Sequence, residues 1–108
     1  MNGASGIIKI VIKYINKGEK KMVRLRNCNE NSARNFNCVE IGELELYFSY
    51  ETCVAFWTPK TGLVVSENIW GSTTGKHLNW LDGGRKESRV PYSKFEKQLK
   101  ELLENRGL

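Results

Sequence analysis

The sequence predicts an α+β domain: an antiparallel sheet of five to six strands with a C-terminal amphipathic helix packed on one face. Three observations carry this prediction. Short runs of alternating apolar and polar residues, separated by turn-forming residues, recur from residue 8 to residue 69. A Pro59-Lys60-Thr61-Gly62 corner joins two of these runs, with proline presetting the first central position of a turn and glycine relieving its exit. Near the end, Phe95, Leu99, Leu102 and Leu103 fall at i, i+4, i+7 and i+8, one apolar stripe along a helix. A chain of 108 residues makes a single domain with one modest core, in which residues 1–6 are expected to be flexible.

Each element follows from local pattern. Ile8, Ile10, Ile12 and Tyr14 alternate with Lys9, Val11, Lys13 and Ile15, the period of a half-buried strand. Asn16-Lys17-Gly18-Glu19 is turn chemistry, and residues 22–26 alternate again, with Val23 and Leu25 opposite Arg24 and Arg26. Together they form a hairpin with one basic face. Residues 27–37 hold five asparagines and no period, which reads as a loop. Residues 36–41 and 44–50 are strands around Gly42-Glu43. In the second, Leu44, Leu46, Phe48 and Tyr50 share one face, and Glu45, Tyr47 and Ser49 take the other. Residues 52–58 and 63–69 form the hairpin around the proline corner. Residues 71–81 predict one or two helical turns, ended by Asp82-Gly83-Gly84. Ser93 with Glu96 three residues on is a capping box that opens the last helix, with Pro91 ahead of it and Gly107 beyond its end.

Composition excludes several classes. Hydrophobic residues make up 40% and charged residues 27%, the balance of an ordinary globule. Lys9 and Lys13 interrupt the longest apolar run, far short of the ~20 residues a membrane span needs. The opening MNGASG has no basic start followed by an apolar core, so no signal peptide is expected. Cys28, Cys38 and Cys53 are odd in number and show no paired spacing, which suits reduced thiols and a cytoplasmic location. Residues 7–21 use AT-rich codon types and end in Lys17-Gly18-Glu19-Lys20-Lys21 directly before Met22, as a purine-rich ribosome-binding site does when translated. One expectation is that Met22 is the natural start; the alternation of Ile8, Ile10 and Ile12 argues the opposite.

Charge is unevenly spread. Residues 1–26 hold seven Lys/Arg against one Glu, residues 27–70 two against six, and residues 71–108 eight against five acids, for a net charge of +5. Basic segments flanking an acidic middle suit a phosphate backbone, whose counterions each bound Lys or Arg releases. Tryptophans offer stacking platforms for unpaired bases. The candidate nucleic-acid or partner site is therefore Lys9, Lys13, Arg24, Arg26, Trp57, Trp70, Lys76 and Trp80. A plainer reading stands beside it: the same charges form a solvated strand face and the tryptophans lie in the core.

Catalytic signatures are absent. Gly71-Ser72-Thr73-Thr74-Gly75-Lys76-His77 is one residue short of a phosphate loop, and His77 replaces the hydroxyl residue that should hold magnesium. What remains is an anion cradle at residues 72–75 beside Lys76, or a glycine-flanked turn that starts a short helix. His77 is the sole histidine, so a nucleophile pair is limited to Ser–His77 or Cys–His77, and no flanking motif supports either. No ligand spacing for zinc exists, so neither metal nor cofactor is expected.

The runs YFSYETCVAF and LVVSENIWGSTTGKHLNWL, within residues 47–81, resemble an uncharacterised small domain family found in phage and other mobile-element reading frames. The resemblance implies a genomic context, with the host cytoplasm as location, and no activity. The expected function is a small non-enzymatic binding protein associated with nucleic acid; the alternative is an inhibitor or adaptor acting on host defence or replication machinery.

Overall fold

In the computed structural model, which describes residues 23–28 and 35–107, the alternating runs become five strands. These are β1 (Val23–Asn27), β2 (Phe36–Ile41), β3 (Leu44–Ser49), β4 (Thr52–Thr58) and β5 (Gly62–Val65). They lie in chain order, each antiparallel to the next. The order follows from short connections: Ile41 pairs with Leu44 and Ser49 with Thr52, leaving two-residue hairpin loops. At the proline corner, Gly62 adopts φ 70° and Thr58 Oγ1 accepts the Thr61 amide at 3.0 Å. The strand predicted over residues 8–15, its turn, and Lys9 and Lys13 lie outside the described residues.

Alternation sorts side chains onto two faces, and both are covered. On one face Val39, Ile41, Leu44, Leu46, Phe48 and Phe56 form an apolar cluster. Helix α2 (Tyr92–Asn105) docks there, with Phe95 only 1% exposed and Leu99, Leu102 and Leu103 packed beside it. On the other face Cys28, Phe36, Cys38, Tyr47, Val54, Ala55 and Val65 meet Leu78 of helix α1 (Ser72–Asp82). An extra residue in β4, Val54, shifts the register opposite Tyr47 and Phe48, so Val54 and Ala55 both serve the α1 side. Among the described residues no helix is long and apolar enough to cross a membrane.

The structure corrects four expectations. Helix α1 runs three turns rather than one or two, because burial of Thr74, His77 and Leu78 on the sheet supplies what the weak local pattern lacks. Strand β5 ends at Val65, since Ser66 bridges to Val90 and the chain then turns at Asn68. Tyr50 leaves the face of Leu44, Leu46 and Phe48: it sits in the hairpin loop at φ 56° and is exposed. The capping box does not form. Helix α2 begins two residues early, at Tyr92, with Pro91 rather than Ser93 as N-cap and no side-chain cap. Glu67 Oε2 instead accepts the Tyr92 amide at 2.9 Å, and Glu96 accepts the Tyr92 hydroxyl at 3.1 Å.

Candidate functional site

Helix α1 is fastened to the sheet by polar groups. Ser49 Oγ is hydrogen-bonded to Thr74 Oγ1 at 2.9 Å and to His77 Nδ1 at 2.7 Å. The His77 ring stacks on Phe36 at 4.5 Å, nearly parallel, and lies near Tyr50. Burial lowers the His77 pKa, which favours neutral imidazole at neutral pH. The Ser–His77 pair that the sequence allowed thus exists, with Ser49 as its serine. Ser49 is only 2% exposed, and no carboxylate among the described residues is bonded to the ring. The arrangement is a satisfied buried network, which rigidifies what it joins.

The junction before α1 depends on Asn68. Its Oδ1 accepts the amides of Trp70 at 2.9 Å and Gly71 at 3.2 Å, while its Nδ2 donates to the Gly71 carbonyl at 2.8 Å. A Cβ at Gly75 would stand 3.0 Å from that same Nδ2, so the second glycine of the GSTTGK run makes room for this side chain. The first turn of α1 borders a pocket of about 370 Å³ with Ser49, Tyr50, Thr52 and Trp70 on its walls.

A second groove, about 470 Å³, runs along the exposed side of α1 and is lined by Glu67, Asn68, Lys76, Asn79, Lys86 and Arg89. Arg89 is spoken for: Nε meets Asp82 Oδ2 at 2.7 Å, and Nη2 reaches Asp82 Oδ1 at 3.1 Å and Asn79 Oδ1 at 2.9 Å. This ion pair is nearly buried, and the hydrogen bond from Arg89 holds the Asp82 carboxyl below the ordinary carboxylate range. Lys76 and Lys86, by contrast, have no ion-pair partner among the described residues. Trp80 stands one turn after Lys76, 51% exposed, and meets Phe36 edge-on at 5.4 Å.

Of the residues singled out from sequence, the structure therefore brings Lys76 and Trp80 together. Arg24 and Arg26 lie on β1 opposite Glu40: Arg26 Nε sits 2.5 Å and Arg24 Nη1 3.8 Å from its carboxylate, and Glu45 is 3.9 Å from Arg26. The Glu40 bond raises the Arg26 pKa, and this strand face carries mixed charge rather than a basic stripe. Trp57 is half-buried on β4, and Trp70 packs edge-on against Tyr92 at 5.4 Å. Sequence reasoning missed Ser49, Asn68, Asn79, Lys86 and Arg89, and placed Thr74 in an anion cradle where the structure bonds it to Ser49. Asn68 had a signal, an Asx turn three residues ahead of a glycine; the others meet only through the fold.

The remaining chemistry is quiet. Burial pushes the thiols of Cys28, Cys38 and Cys53 up to about 12, and all three are free. Among the described residues no group of three or more His, Cys, Asp or Glu could hold a metal ion.

No curated protein and no solved structure matches this chain. Residues 13–97, a stretch that begins ahead of Met22, do find a match, and by it the chain belongs to the Family of unknown function (DUF8033).

Proposed function

We propose that the protein is a small non-enzymatic nucleic-acid-binding module that uses the exposed face of α1. One observation carries the reading: Lys76 and Lys86, without an ion-pair partner among the described residues, line one groove with Asn68, Asn79 and Glu67. The Glu67 carboxylate accepts the Tyr92 amide, and exposed Trp80 stands one helical turn from Lys76. Lysines meet phosphates as point charges, amides hydrogen-bond to sugar and phosphate oxygens, and an indole offers a stacking surface for an unpaired base. Arg24 and Arg26 take a lesser part, because Glu40 competes for their charge. A phage or mobile-element setting, and with it a cytoplasmic location, belong to the same proposal and rest on the resemblance of residues 47–81.

The test is titration of labelled single- and double-stranded DNA and RNA at low and physiological salt, with the full chain and a version begun at Met22. Binding should favour single strands and weaken steeply with salt. Lys76→Ala with Lys86→Ala should lower the slope of log K against log salt by about 1.4, at ~0.7 per phosphate contact on single strands. Trp80→Ala should cost ~1–3 kcal/mol of single-strand affinity. Binding that both variants leave untouched would move the site off α1, and binding lost with residues 1–21 would return it to Lys9 and Lys13.

A further inference from the structure

Among the described residues, the sheet ends in an edge that is filled only in part. Ser66 donates to the Val54 carbonyl at 3.0 Å, which fixes the phase of the β4–β5 ladder. Val64 and Gly62 then exchange hydrogen bonds with β4, while the amides and carbonyls of Leu63 and Val65 point away from it. At one end Val90 uses this edge: its amide donates to the Val65 carbonyl at 2.8 Å and its carbonyl accepts from Glu67 at 2.8 Å, a parallel bridge one residue long. The chain cannot extend that bridge. Pro91 follows it, and residues 86–88 ahead of it curl into a 3₁₀ turn in which Ser88 donates to the Arg85 carbonyl. The Leu63 amide and carbonyl and the Val65 amide are left facing outward, with no described strand beyond β5.

Beside these groups lies a groove of about 470 Å³ lined by Leu63, Val65, Leu81, Gly83, Arg85 and Ser88, together with Asp82. Leu63 is 40% exposed there. The groove has a sign. Both oxygens of Asp82 are bound by Arg89, whereas Arg85, and Lys60 in the turn that opens β5, have no ion-pair partner among the described residues. Glu87 in the 3₁₀ turn is likewise unpaired among the described residues, but Arg85 and Lys60 outnumber it, so the unpaired charge near this edge is net positive. That disfavours a second copy of this chain, which would set the same cations against themselves, and favours an acidic occupant.

We propose that the β5 edge is a docking site for a short extended peptide with alternating apolar and acidic residues, which adds to the sheet as Val90 does. Main-chain bonds to Leu63 and Val65 hold it, an apolar side chain rests on Leu63 and Leu81, and a carboxylate meets Arg85 or Lys60. This site is separate from the α1 groove and does not depend on nucleic-acid binding.

The experiment is an amide-resolved NMR titration of the full chain with a soluble peptide alternating valine and glutamate, and a valine–lysine peptide as its counterpart. The acidic peptide should shift the Leu63 and Val65 amides saturably, and the basic one should not. Leu63→Pro removes an outward-facing donor at an edge position that tolerates proline, so affinity should drop by about tenfold or more. Arg85→Glu, a surface change, should reverse the preference between the two peptides; Lys76→Ala with Lys86→Ala should leave peptide binding intact. The proposal is overturned if the two peptides bind alike, or if Arg85→Glu leaves the preference unchanged. It also falls if the Leu63 and Val65 amides are already protected from exchange in the free monomer, which means the chain covers its own edge. Sedimentation showing a dimer that Leu63→Pro dissolves would assign the edge to a second copy and overturn it too.

Discussion

The two helices cover opposite faces of one sheet, and they do so by different means. Helix α2 lays Phe95, Leu99, Leu102 and Leu103 on a wholly apolar cluster, with Phe95 against Phe56 at 5.6 Å. Helix α1 buries Leu78, with Leu81 partly buried beside it and His77 and Trp80 against Phe36, and adds polar anchors: Thr74 and His77 hydrogen-bonded to Ser49. Apolar burial is strong and non-directional, while a polar network is weaker but fixes position and rotation. The difference suggests a division of labour: α2 supplies stability, and α1 holds Lys76 and Trp80 in one orientation.

The largest effect that tests this contrast is truncation of each anchor. Phe95→Ala should cost ~3–5 kcal/mol and Leu78→Ala ~2–4 kcal/mol in denaturant melts, both large shares of a small domain's stability. A Leu78→Ala variant weaker than Phe95→Ala would reverse the assignment of roles.

Acid should act on the α1 face first. Because burial lowers the His77 pKa, the unfolded state binds the proton more readily, so this contribution to stability is complete above the ordinary histidine value of about 6.5 and is lost as pH falls below it. Asp82 is depressed by Arg89, so its contribution is present above the ordinary carboxylate range and fails only at more acid pH. Thermal melts from pH 7.5 to 5 should show a decline that His77→Phe flattens. Ser49→Ala should cost ~1–2 kcal/mol by leaving its two buried partners unsatisfied. A flat profile in the parent chain would mean that the imidazole is free to ionise in place.

The smallest effects concern the start of α2. Glu67→Gln should cost ~0.5–1 kcal/mol, since a carboxylate at a helix N-terminus is favoured. Ser93→Ala should stay within about 0.5 kcal/mol. A larger loss at Ser93 than at Glu67 would restore the capping box.

These contrasts also explain what could be read in advance. The stripe of α2 and the Pro59–Gly62 corner were legible because their causes are local: helical spacing in one, turn geometry in the other. The length of α1 was not, since what stabilises it is Ser49, which lies twenty-five residues before Thr74. The same holds for the start of α2, where a favourable Ser93–Glu96 spacing loses to Glu67, brought in by the Ser66–Val90 bridge. In the candidate site, Lys76 and Trp80 share a helix and so were found together. Lys86 and Asn68 reach the groove only by tertiary folding, and Arg24 and Arg26 looked basic because Glu40 is remote in sequence.

The three cysteines divide between the faces: Cys28 and Cys38 belong to the cluster that Leu78 of α1 joins, and Cys53 packs on the α2 side. With their pKa values raised to about 12, none presents much thiolate while its face is closed. The protein therefore carries its own pair of unfolding clocks. Alkylation timed by mass spectrometry would read opening of the α1 face through Cys28 and Cys38, and of the α2 face through Cys53, in the chain without any engineered label.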